Sequence, residues 1–473
     1  MDISSLRGQL QSIDQAQVLR FYDSLPAPSR ARLEGQLSSQ NLPMLNELSQ
    51  QYVKHKPQIQ IPKDIRPVEM FPRHPRDEQQ KNLYQQAQQR GTELLKGGKV
   101  AAFLVAGGQG TRLGYDGPKG EYPVTPIKNK PLFQCFAEQL RGWSRDVGKT
   151  IPWYIMTSDI NDRPTREFFE KHRYFGCNPA DVFFFQQGMM PAISMDGRLL
   201  LAEKDSLALS PDGHGGSLRA LDRSGALADM RRRGIEHLSY FQVDNPLVHC
   251  IDPLFLGLHD LTGSEMSSKT IPKAHALEKV GNFVNGDGVV QVIEYSDLPQ
   301  NLAELKNGDG SLRFNAGSIA IHALRVSFIE RLNNGGQLKL PWHRAEKKVD
   351  FVDEQGQLQK PKEPNAVKLE QFVFDAIPLA KNAMVYETER GEEFSPVKNA
   401  QGTDSPASCR RDQVRRSARW LSSAGVQVPE KSGEIDAIIE ISPLFANNEQ
   451  QLKERFKQKP ALTIRPSEQL YLE

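Results

Sequence analysis

Continuous apolar stretches of strand length alternate with helical patterns through the middle of the chain. The first stretch, VAAFLVA from Val100, has no polar position, which is typical of a strand covered on both faces in a parallel sheet. Further strand-like stretches lie at residues 153–157, 182–186, 237–243 and 288–295. Helical patterns separate them, and one of these, PLFQCFAEQLRGW, has Pro131 at its expected first position. The alternation predicts an α/β fold with a mixed, mainly parallel sheet.

The chain before this core has a helical pattern followed by a series of prolines. From Leu6 to Leu37, apolar residues recur at three- and four-residue steps, which predicts several short amphipathic helices. Five prolines between Lys54 and Pro75 are too frequent for a helix and remove N–H donors that a central strand needs. We therefore expect an extended connector lying on the body, followed by a polar helix at about residues 78–96.

The pattern changes again after about Lys398. A basic helix around residues 410–421 and a strand-like ending, ALTIRP, predict a small C-terminal unit. The expected organisation therefore has three parts, a helical N-terminal region with its connector (1–97), a larger core (98–398) and a small C-terminal domain (399–473).

Charge and sorting signals narrow the class of protein. The 60 basic and 58 acidic residues leave a formal charge of +2, so the chain as a whole has no strong attraction for nucleic acid or an anionic membrane. The N-terminus lacks the basic start and apolar stretch of a secretion signal, and no apolar run is long enough to cross a bilayer. We expect a soluble cytoplasmic protein that binds neither nucleic acid nor membranes.

The four cysteines stand far apart in the sequence, at positions 135, 177, 250 and 409. Because no C-x-x-C spacing occurs, neither a zinc cluster nor a disulfide framework is indicated. The thiols are expected to be reduced and buried.

The clearest chemical signal is the loop after the first core strand, GGQGTRLGYDGPKG. Three glycines within residues 107–110 let the backbone approach an anion closely, and Arg112 and Lys119 add positive charge. Leu113 stands where the dinucleotide-binding fingerprint needs glycine, which argues against a nicotinamide-dependent dehydrogenase, and the Walker pattern is also absent. A glycine-rich turn often only connects a strand to a helix, but the paired cations favour a triphosphate site.

This loop resembles the signature of the UDP-sugar pyrophosphorylases, and most of all that of the eukaryotic-type UDP-N-acetylglucosamine pyrophosphorylases. Further blocks follow in the family's order over roughly residues 100–400, among them FQVDNPLV, FNAGSIAIH and EEFSPVKN. The resemblance implies a nucleotide-diphospho-sugar transferase fold whose core is the catalytic domain. It implies a uridylyltransferase that converts UTP and an N-acetylhexosamine 1-phosphate into a UDP-sugar and pyrophosphate, with Mg²⁺ or Mn²⁺ as cofactor.

The resemblance also assigns roles to individual positions. Residues expected to bind the nucleotide are Gly107, Gly108, Gln187 and Gly213. Catalytic cations are expected at Arg112, Lys119 and Lys398, and the metal ligand at Asp244. Residues expected to contact the sugar are His214, Gly281, Glu294, Ser318, Phe372 and Phe374.

The chemistry of three of these residues is compatible with their roles, although the residues alone leave other interpretations open. The Gln187 carboxamide offers a donor and an acceptor that match the edge of uracil, but a polar residue after a strand is more often solvated or a cap. Asp244 follows an apolar strand, where α/β sheets gather ligands, and a carboxylate suits Mg²⁺, but it would equally suit a helix cap. A lone lysine such as Lys398 is ordinarily a surface residue.

Two sugar-side positions depart from the N-acetylglucosamine branch. His214 and Ser318 each replace an expected asparagine, and the Gly-His-Gly segment is similar to glucose-specific and broad-specificity UTP pyrophosphorylases. N-acetylglucosamine 1-phosphate is the first expectation, with glucose 1-phosphate or a broader range as the alternative. A non-catalytic nucleotide-sugar sensor on the same fold is the alternative of another class.

Overall fold

The computed structural model describes residues 2–57, 61–335, 338–457 and 462–473. Its packing divides the chain into two compact units. Unit 1 comprises residues 1–60, 187–217 and 339–373, and unit 2 comprises residues 61–186, 218–338 and 374–473. Each unit is thus assembled from stretches that lie far apart in the sequence, and the predicted boundaries after residues 97 and 398 stay predictions.

The helices of the described residues include those that were predicted from the sequence. They are α1 (Ile3–Ser12), α2 (Ala27–Ser38), α3 (Leu42–Leu48), α4 (Glu78–Lys96), α5 (Leu132–Val147), α6 (Asp162–Lys171), α7 (Gly216–Arg223), α8 (Ala226–Arg233), α9 (Pro253–Leu261), α10 (Gln300–Ala303), α11 (Val326–Asn333), α12 (Arg390–Glu393), α13 (Pro406–Ser423) and α14 (Glu449–Phe456). Short 3₁₀ helices include Thr111–Leu113, Lys119–Glu121 and Val373–Leu379. The predicted polar helix at 78–96 is confirmed as α4, whereas Pro131 precedes α5 as its N-cap and is not its first helical residue.

The strands include the five that were predicted for the core. They are β1 (Ile65–Pro67), β2 (Val100–Val105), β3 (Trp153–Thr157), β4 (Val182–Gln186), β5 (Met189–Pro191), β6 (Ile193–Ser194), β7 (Leu201–Glu203), β8 (Ser206–Leu207), β9 (Leu209–Pro211), β10 (His237–Gln242), β11 (Met266–Pro272), β12 (Asn282–Gly286), β13 (Val289–Ile293), β14 (Ala316–Arg325), β15 (His343–Lys347), β16 (Phe351–Val352), β17 (Leu358–Gln359), β18 (Ala366–Glu370), β19 (Ala383–Glu387), β20 (Glu430–Lys431), β21 (Glu434–Ile435), β22 (Ala437–Ile441) and β23 (Glu468–Leu472).

The main sheet of unit 2 is parallel in one half and largely antiparallel in the other. Strands β10, β2, β3 and β4 run parallel, in that order. Beyond β10, the long strand β14 is antiparallel to β10, β11 and β12, and only β19 rejoins in parallel with β11. The expectation of a mainly parallel sheet is therefore wrong for this half. The cause is local for β12 and β13, because Asp287 and Gly288, both at positive φ, form a two-residue hairpin between them.

The core of unit 2 lies between this sheet and helices α4, α5 and α9. Phe133, Phe136 and Trp153 are almost fully buried there. Helices α4 and α9 approach unusually closely, since a Cβ added to Gly257 would lie 1.8 Å from the carbonyl oxygen of Ala87. Only glycine permits that separation.

The N-terminal helices form the core of unit 1 with strands from the two inserted stretches. Leu6, Leu10 and Leu37 have no exposed surface, and they belong to the same apolar cluster as Ile193 of β6 and Leu369 of β18. The amphipathic pattern of residues 6–37 is thus explained by packing within this chain.

The structure describes most of the predicted connector and of the C-terminal segment. Residues 61–75 lie extended in unit 2, where β1 pairs with β12 and Phe71 exchanges main-chain hydrogen bonds with Val385 and Glu387. Residues 58–60 of the predicted connector lie outside the described part.

The predicted strand ALTIRP is wrong over residues 462–466, which form no strand, and its Ala461 is not described. The C-terminal strand is instead β23, which pairs in parallel with β22, and Pro466 just before it has no N–H to donate.

Two further expectations, on the cysteines and on membrane-spanning helices, can be compared with the structure. All four thiols are free, and Cys135, Cys250 and Cys409 are buried as predicted, but Cys177 is only half-buried. Within the described residues, we find no helix with the length and apolar content needed to cross a bilayer.

Candidate functional site

The glycine-rich loop forms a tight hairpin directly after β2. The N–H of Lys119 donates to the carbonyl oxygen of Gly108 at 3.1 Å, and Gln109 bridges to Pro118 across the hairpin. The fully buried Asn161 donates its Nδ2 to the carbonyl oxygens of Ala106 and Gly108, at 2.8 and 3.3 Å. These bonds fix the carbonyl groups at the base of the loop, and Gly108 is exposed with no atom within 4 Å of a would-be Cβ.

Asp244 leaves the sheet beside this loop. The parallel register of β10 and β2 pairs Gln242 with Val105, so Asp244 and Gly107 are both the second residue beyond the paired ends. The carboxyl ends of neighbouring parallel strands lie at one edge of a sheet, which is where α/β proteins bind ligands. Asp244 does not cap the helix that follows, because Asp252 accepts from the Phe255 N–H at the start of α9. The capping interpretation of Asp244 is therefore excluded.

Lys119 lies among the other charged groups of the site. Its side chain is partly buried, and burial lowers the pKa of Lys119. The Asp244 carboxylate opposes that shift, while the positive charges of Lys398 and Arg112 add to it. All three charged groups therefore lie near enough to Lys119 to act on it. The structure brings together Arg112, Lys119, Asp244 and Lys398 in unit 2.

Asn245 ties the segment that carries Lys398 to the end of β10. Its side chain is buried, and its Nδ2 donates to the carbonyl oxygen of Glu393 at 2.6 Å. Its Oδ1 accepts from the N–H of Ser395 at 3.1 Å. The N–H of Lys398 in turn donates to the carbonyl oxygen of Asp404 at 2.7 Å. The backbone of this segment is thus fixed on both sides of the lysine.

A second cluster of possible metal ligands lies deeper in unit 2, where His249, Asp252 and Glu393 have ligand atoms within 4.8 Å of one another. The ammonium group of the fully buried Lys269 contacts Asp252 at 2.6 Å and Glu393 at 2.7 Å. Although burial alone would lower the pKa of Lys269, the two carboxylates raise it. A protein cation already neutralises this cluster, so we assign it a structural role.

Three predicted sugar-side residues lie together in unit 2. The N–H of Ser318 on β14 donates to the carbonyl oxygen of Gly281 at 2.8 Å. A Cβ added to Gly281 would lie 3.5 Å from a carboxylate oxygen of Glu294 and 3.6 Å from Cβ of Ser318. Phe374 is also in unit 2, half-buried in the 3₁₀ helix that follows β18.

The other predicted residues, Gln187, Gly213, His214 and Phe372, belong to unit 1. Gln187 is buried. Gly213 has φ +86°, and a Cβ there would lie 2.3 Å from the carbonyl oxygen of Gln371, so only glycine fits. The ring of His214 stacks on that of Phe372 with centroids 5.2 Å apart.

Sequence reasoning missed two residues that organise the unit 2 site, Asn161 and Asn245. Asn245 follows Asp244 beyond the carboxyl end of β10, and Asn161 lies beyond the carboxyl end of β3. The available signal was position, because both are carboxamides just beyond parallel strands, where ligand sites form.

Comparison with protein families gives one model that spans most of the chain. The family model described as UTP–glucose-1-phosphate uridylyltransferase matches residues 43–470. The match includes the glycine-rich loop, Asp244 and Lys398.

Individual proteins are similar over comparable lengths. A UDP-N-acetylhexosamine pyrophosphorylase-like protein 1 from Homo sapiens is 38% identical over 469 residues, covering 93% of this chain and 92% of the relative. The UDP-N-acetylglucosamine pyrophosphorylase of Saccharomyces cerevisiae is 40% identical over 350 residues, covering 72% of this chain and 73% of that protein. Among solved structures, the uridine diphosphate N-acetylglucosamine pyrophosphorylase from Trypanosoma brucei has a TM-score of 0.82 at 25% identity, covering 98% of this chain and 97% of that one.

Proposed function

The chain belongs to the UTP–glucose-1-phosphate uridylyltransferase family, and from this premise we propose that it transfers the uridylyl group of UTP to N-acetylglucosamine 1-phosphate. The products are a UDP-sugar and pyrophosphate. Family membership confirms the resemblance on which the expected fold and reaction class rested. The N-acetylated sugar is favoured because relatives that match most of this chain carry the names of N-acetylhexosamine and N-acetylglucosamine pyrophosphorylases.

The observation that carries the proposal is the position of Lys119 within reach of the charges of Asp244, Arg112 and Lys398. In the reaction, an oxygen of the sugar phosphate attacks the α-phosphorus of UTP in line with the leaving pyrophosphate. No protein nucleophile is required, because the difficulty lies in bringing two polyanions together and aligning them. Arg112 and Lys119 would neutralise the α-phosphate and the leaving pyrophosphate, and Lys398 the incoming sugar phosphate.

Asp244 fits the role of ligand to a divalent cation. Its side chain is half-buried at the edge of the sheet, and none of the described side chains forms an ion pair with it. Its carboxylate oxygens are therefore available to a hard cation such as Mg²⁺ or Mn²⁺, which takes its other ligands from water and phosphate. When bound, the metal would withdraw charge from the phosphate oxygens and help to orient them.

The remaining assignments come from family membership and are proposed with the function. Gly107 and Gly108 would contact the nucleotide through the backbone, and Gln187 and Gly213 would recognise uridine. Residues proposed to contact the sugar are His214, Gly281, Glu294, Ser318, Phe372 and Phe374.

Pyrophosphate release tests the proposal directly. Purified protein would be incubated with UTP and Mg²⁺ and, in separate reactions, with the 1-phosphates of N-acetylglucosamine, N-acetylgalactosamine, glucose and galactose. We expect the highest kcat/KM with N-acetylglucosamine 1-phosphate. A higher value with glucose 1-phosphate would overturn the choice of sugar, and binding of UDP-sugars without pyrophosphate release from any reaction would overturn the enzymatic function.

A further inference from the structure

The ring of Phe372 in unit 1 contacts two imidazoles. The His343 ring lies 4.2 Å from it between centroids, with the planes inclined by 26°. The His214 ring lies 5.2 Å away and is inclined by 19°. Both contacts are stacked, a geometry in which aromatic pairs attract beyond the effect of buried area. We refer to His214, Phe372 and His343 as the ring stack.

His214 is fixed within the ring stack by the backbone. Its Nδ1 accepts the N–H of Val373 at 3.1 Å, which requires that nitrogen to be unprotonated. Burial lowers the pKa of His214 to about 4, and His343 contributes in the same direction. The imidazole is therefore neutral at physiological pH, and its orientation is set by the residue that follows Phe372.

Glycines allow the loop carrying His214 to approach the segment carrying Phe372. The N–H of Gly215 donates to the carbonyl oxygen of Gln371 at 2.8 Å. A Cβ on Gly215 would lie 2.7 Å from the backbone of Phe372, so a larger residue would push the loop away. The departure from asparagine at position 214 thus occurs in a loop whose backbone lies close to that of the Phe372 segment.

His343 reaches the stack from a strand. It is the first residue of β15, and the antiparallel register pairs it with Glu370, two residues before Phe372. The Gln371 side chain donates its Nε2 to the carbonyl oxygen of Leu340 at 2.8 Å. The chain on both sides of His343 is therefore anchored near Phe372.

We infer that His343 is a positioning residue that holds the Phe372 ring in place and thereby contributes to the choice between sugar 1-phosphates. The inference rests on the proposed function, in which Phe372 contacts the sugar. A ring that is stacked on its neighbours presents a fixed contour, whereas a ring released on one side changes rotamer and adapts to sugars with different substituents. His343 itself does not need to touch the sugar.

Two substitutions of His343 test separately the effect of its planar ring and the effect of its side-chain volume. His343→Leu keeps apolar volume but has no plane to stack, and His343→Phe keeps the plane but has no ring nitrogens. The measured quantity is the ratio of kcat/KM for N-acetylglucosamine 1-phosphate to that for glucose 1-phosphate, together with KM for UTP and the melting temperature. His55→Ala serves as the matched control, because it removes an exposed imidazole elsewhere in unit 1.

We expect the ratio to fall by about tenfold in the leucine variant, the equivalent of losing one good aromatic contact, and to stay within about threefold of wild type in the phenylalanine variant. KM for UTP should not change in either. An unchanged ratio in folded His343→Leu protein, or an equal loss in both variants, would overturn the inference. Absence of pyrophosphate release in the wild type with all sugars would instead reject the proposed function.

Discussion

The N–H of Val397 donates a hydrogen bond of 2.7 Å to the carbonyl oxygen of Asp244. The residue that follows Val397 is the proposed catalytic Lys398, so the chain segments carrying the cation and the carboxylate are joined directly. Asn245 strengthens this junction with one donated and one accepted hydrogen bond. The backbone positions from which the lysine and the carboxylate side chains extend are therefore fixed relative to each other.

Loss of the Asn245 side chain should impair catalysis. Asn245→Ala removes both hydrogen bonds and leaves the Glu393 carbonyl and the Ser395 N–H without these partners, so the segment before Lys398 can shift. A displacement of about 1 Å near a phosphate site is sufficient for roughly 100-fold loss. We expect kcat to fall about 10- to 100-fold with KM for UTP changed less, measured by steady-state pyrophosphate release.

Ser395→Ala is the matched control for that experiment. It removes the Ser395 hydroxyl, which bonds Asp412, but keeps the N–H that bonds Asn245. Its kcat should stay within about threefold of wild type, because the junction with Asn245 is kept and a single neutral-donor hydrogen bond contributes only about 1 kcal/mol. Equal losses in both variants would show that Asn245 has no special role.

The proposed charges of the site can be tested by removing them one at a time. Lys119→Ala and Asp244→Ala should each lower kcat by about 100-fold or more, roughly 3 kcal/mol, because each removes a fixed charge that acts on the reacting phosphates. Circular dichroism and melting temperature would establish that the variants are folded. Near wild-type turnover at saturating substrate in either variant would contradict its assigned role.

The sequence was informative where structure depends on local pattern. The apolar stretch from Val100 and the glycines after it predicted both β2 and the loop, since strand length and turn chemistry are local properties. The Asp287-Gly288 turn is a local signal of the same kind, because this dipeptide is typical of a two-residue hairpin between antiparallel strands.

Long-range contacts could not be predicted in the same way. The bond from Asn245 to Glu393 spans 148 residues, and the proximity of Lys119 to Lys398 also depends on how the strands are ordered. Hydrophobic periodicity does not indicate which distant segments pair. For the same reason, the assembly of unit 1 from three separate stretches had no signal in the pattern.

Two glycine-to-alanine substitutions should change the free energy of unfolding in opposite directions, because Gly257 lies at the close contact between α4 and α9 and Gly35 lies in open space. Gly257→Ala would place a methyl group 1.8 Å from the Ala87 carbonyl oxygen, so the helices must separate and the free energy of unfolding should fall by about 3 kcal/mol. Gly35 lies on the exposed face of α2, where an added Cβ would have no atom within 4 Å, so Gly35→Ala should raise the free energy of unfolding by about 0.5–1 kcal/mol. Urea unfolding of both variants would check the signs, and equal effects would contradict the packing.

The buried charge of Lys269 should be essential for stability. Lys269→Met leaves Asp252 and Glu393 without their cation and should cost about 3–5 kcal/mol, whereas the double variant with Glu393→Gln should recover part of the loss. Lys99→Met breaks an exposed pair with Glu236 and should change stability by less than about 1 kcal/mol. If a chelator destabilised the Asp244→Ala variant, which lacks the proposed metal ligand, as much as Lys269→Met destabilises the protein, the cluster would hold a metal and the structural assignment would be wrong.

Two buried imidazoles predict how stability depends on pH. Burial lowers the pKa of His237 to about 4 and that of His259 well below its usual range, with Arg325 acting in the same direction on both and Asp260 opposing the shift of His237. Between pH 4 and about 6.5, the unfolded chain therefore binds more protons than the folded one. The free energy of unfolding consequently falls as pH is lowered through this window, and His237 accounts for up to about 3 kcal/mol of the fall. Urea unfolding at pH 7, 6, 5 and 4 should show a shallower fall for His237→Phe than for wild type. The exposed His55→Phe should retain the wild-type slope, and a His237→Phe slope equal to that of wild type would exclude His237 as a source of the acid sensitivity.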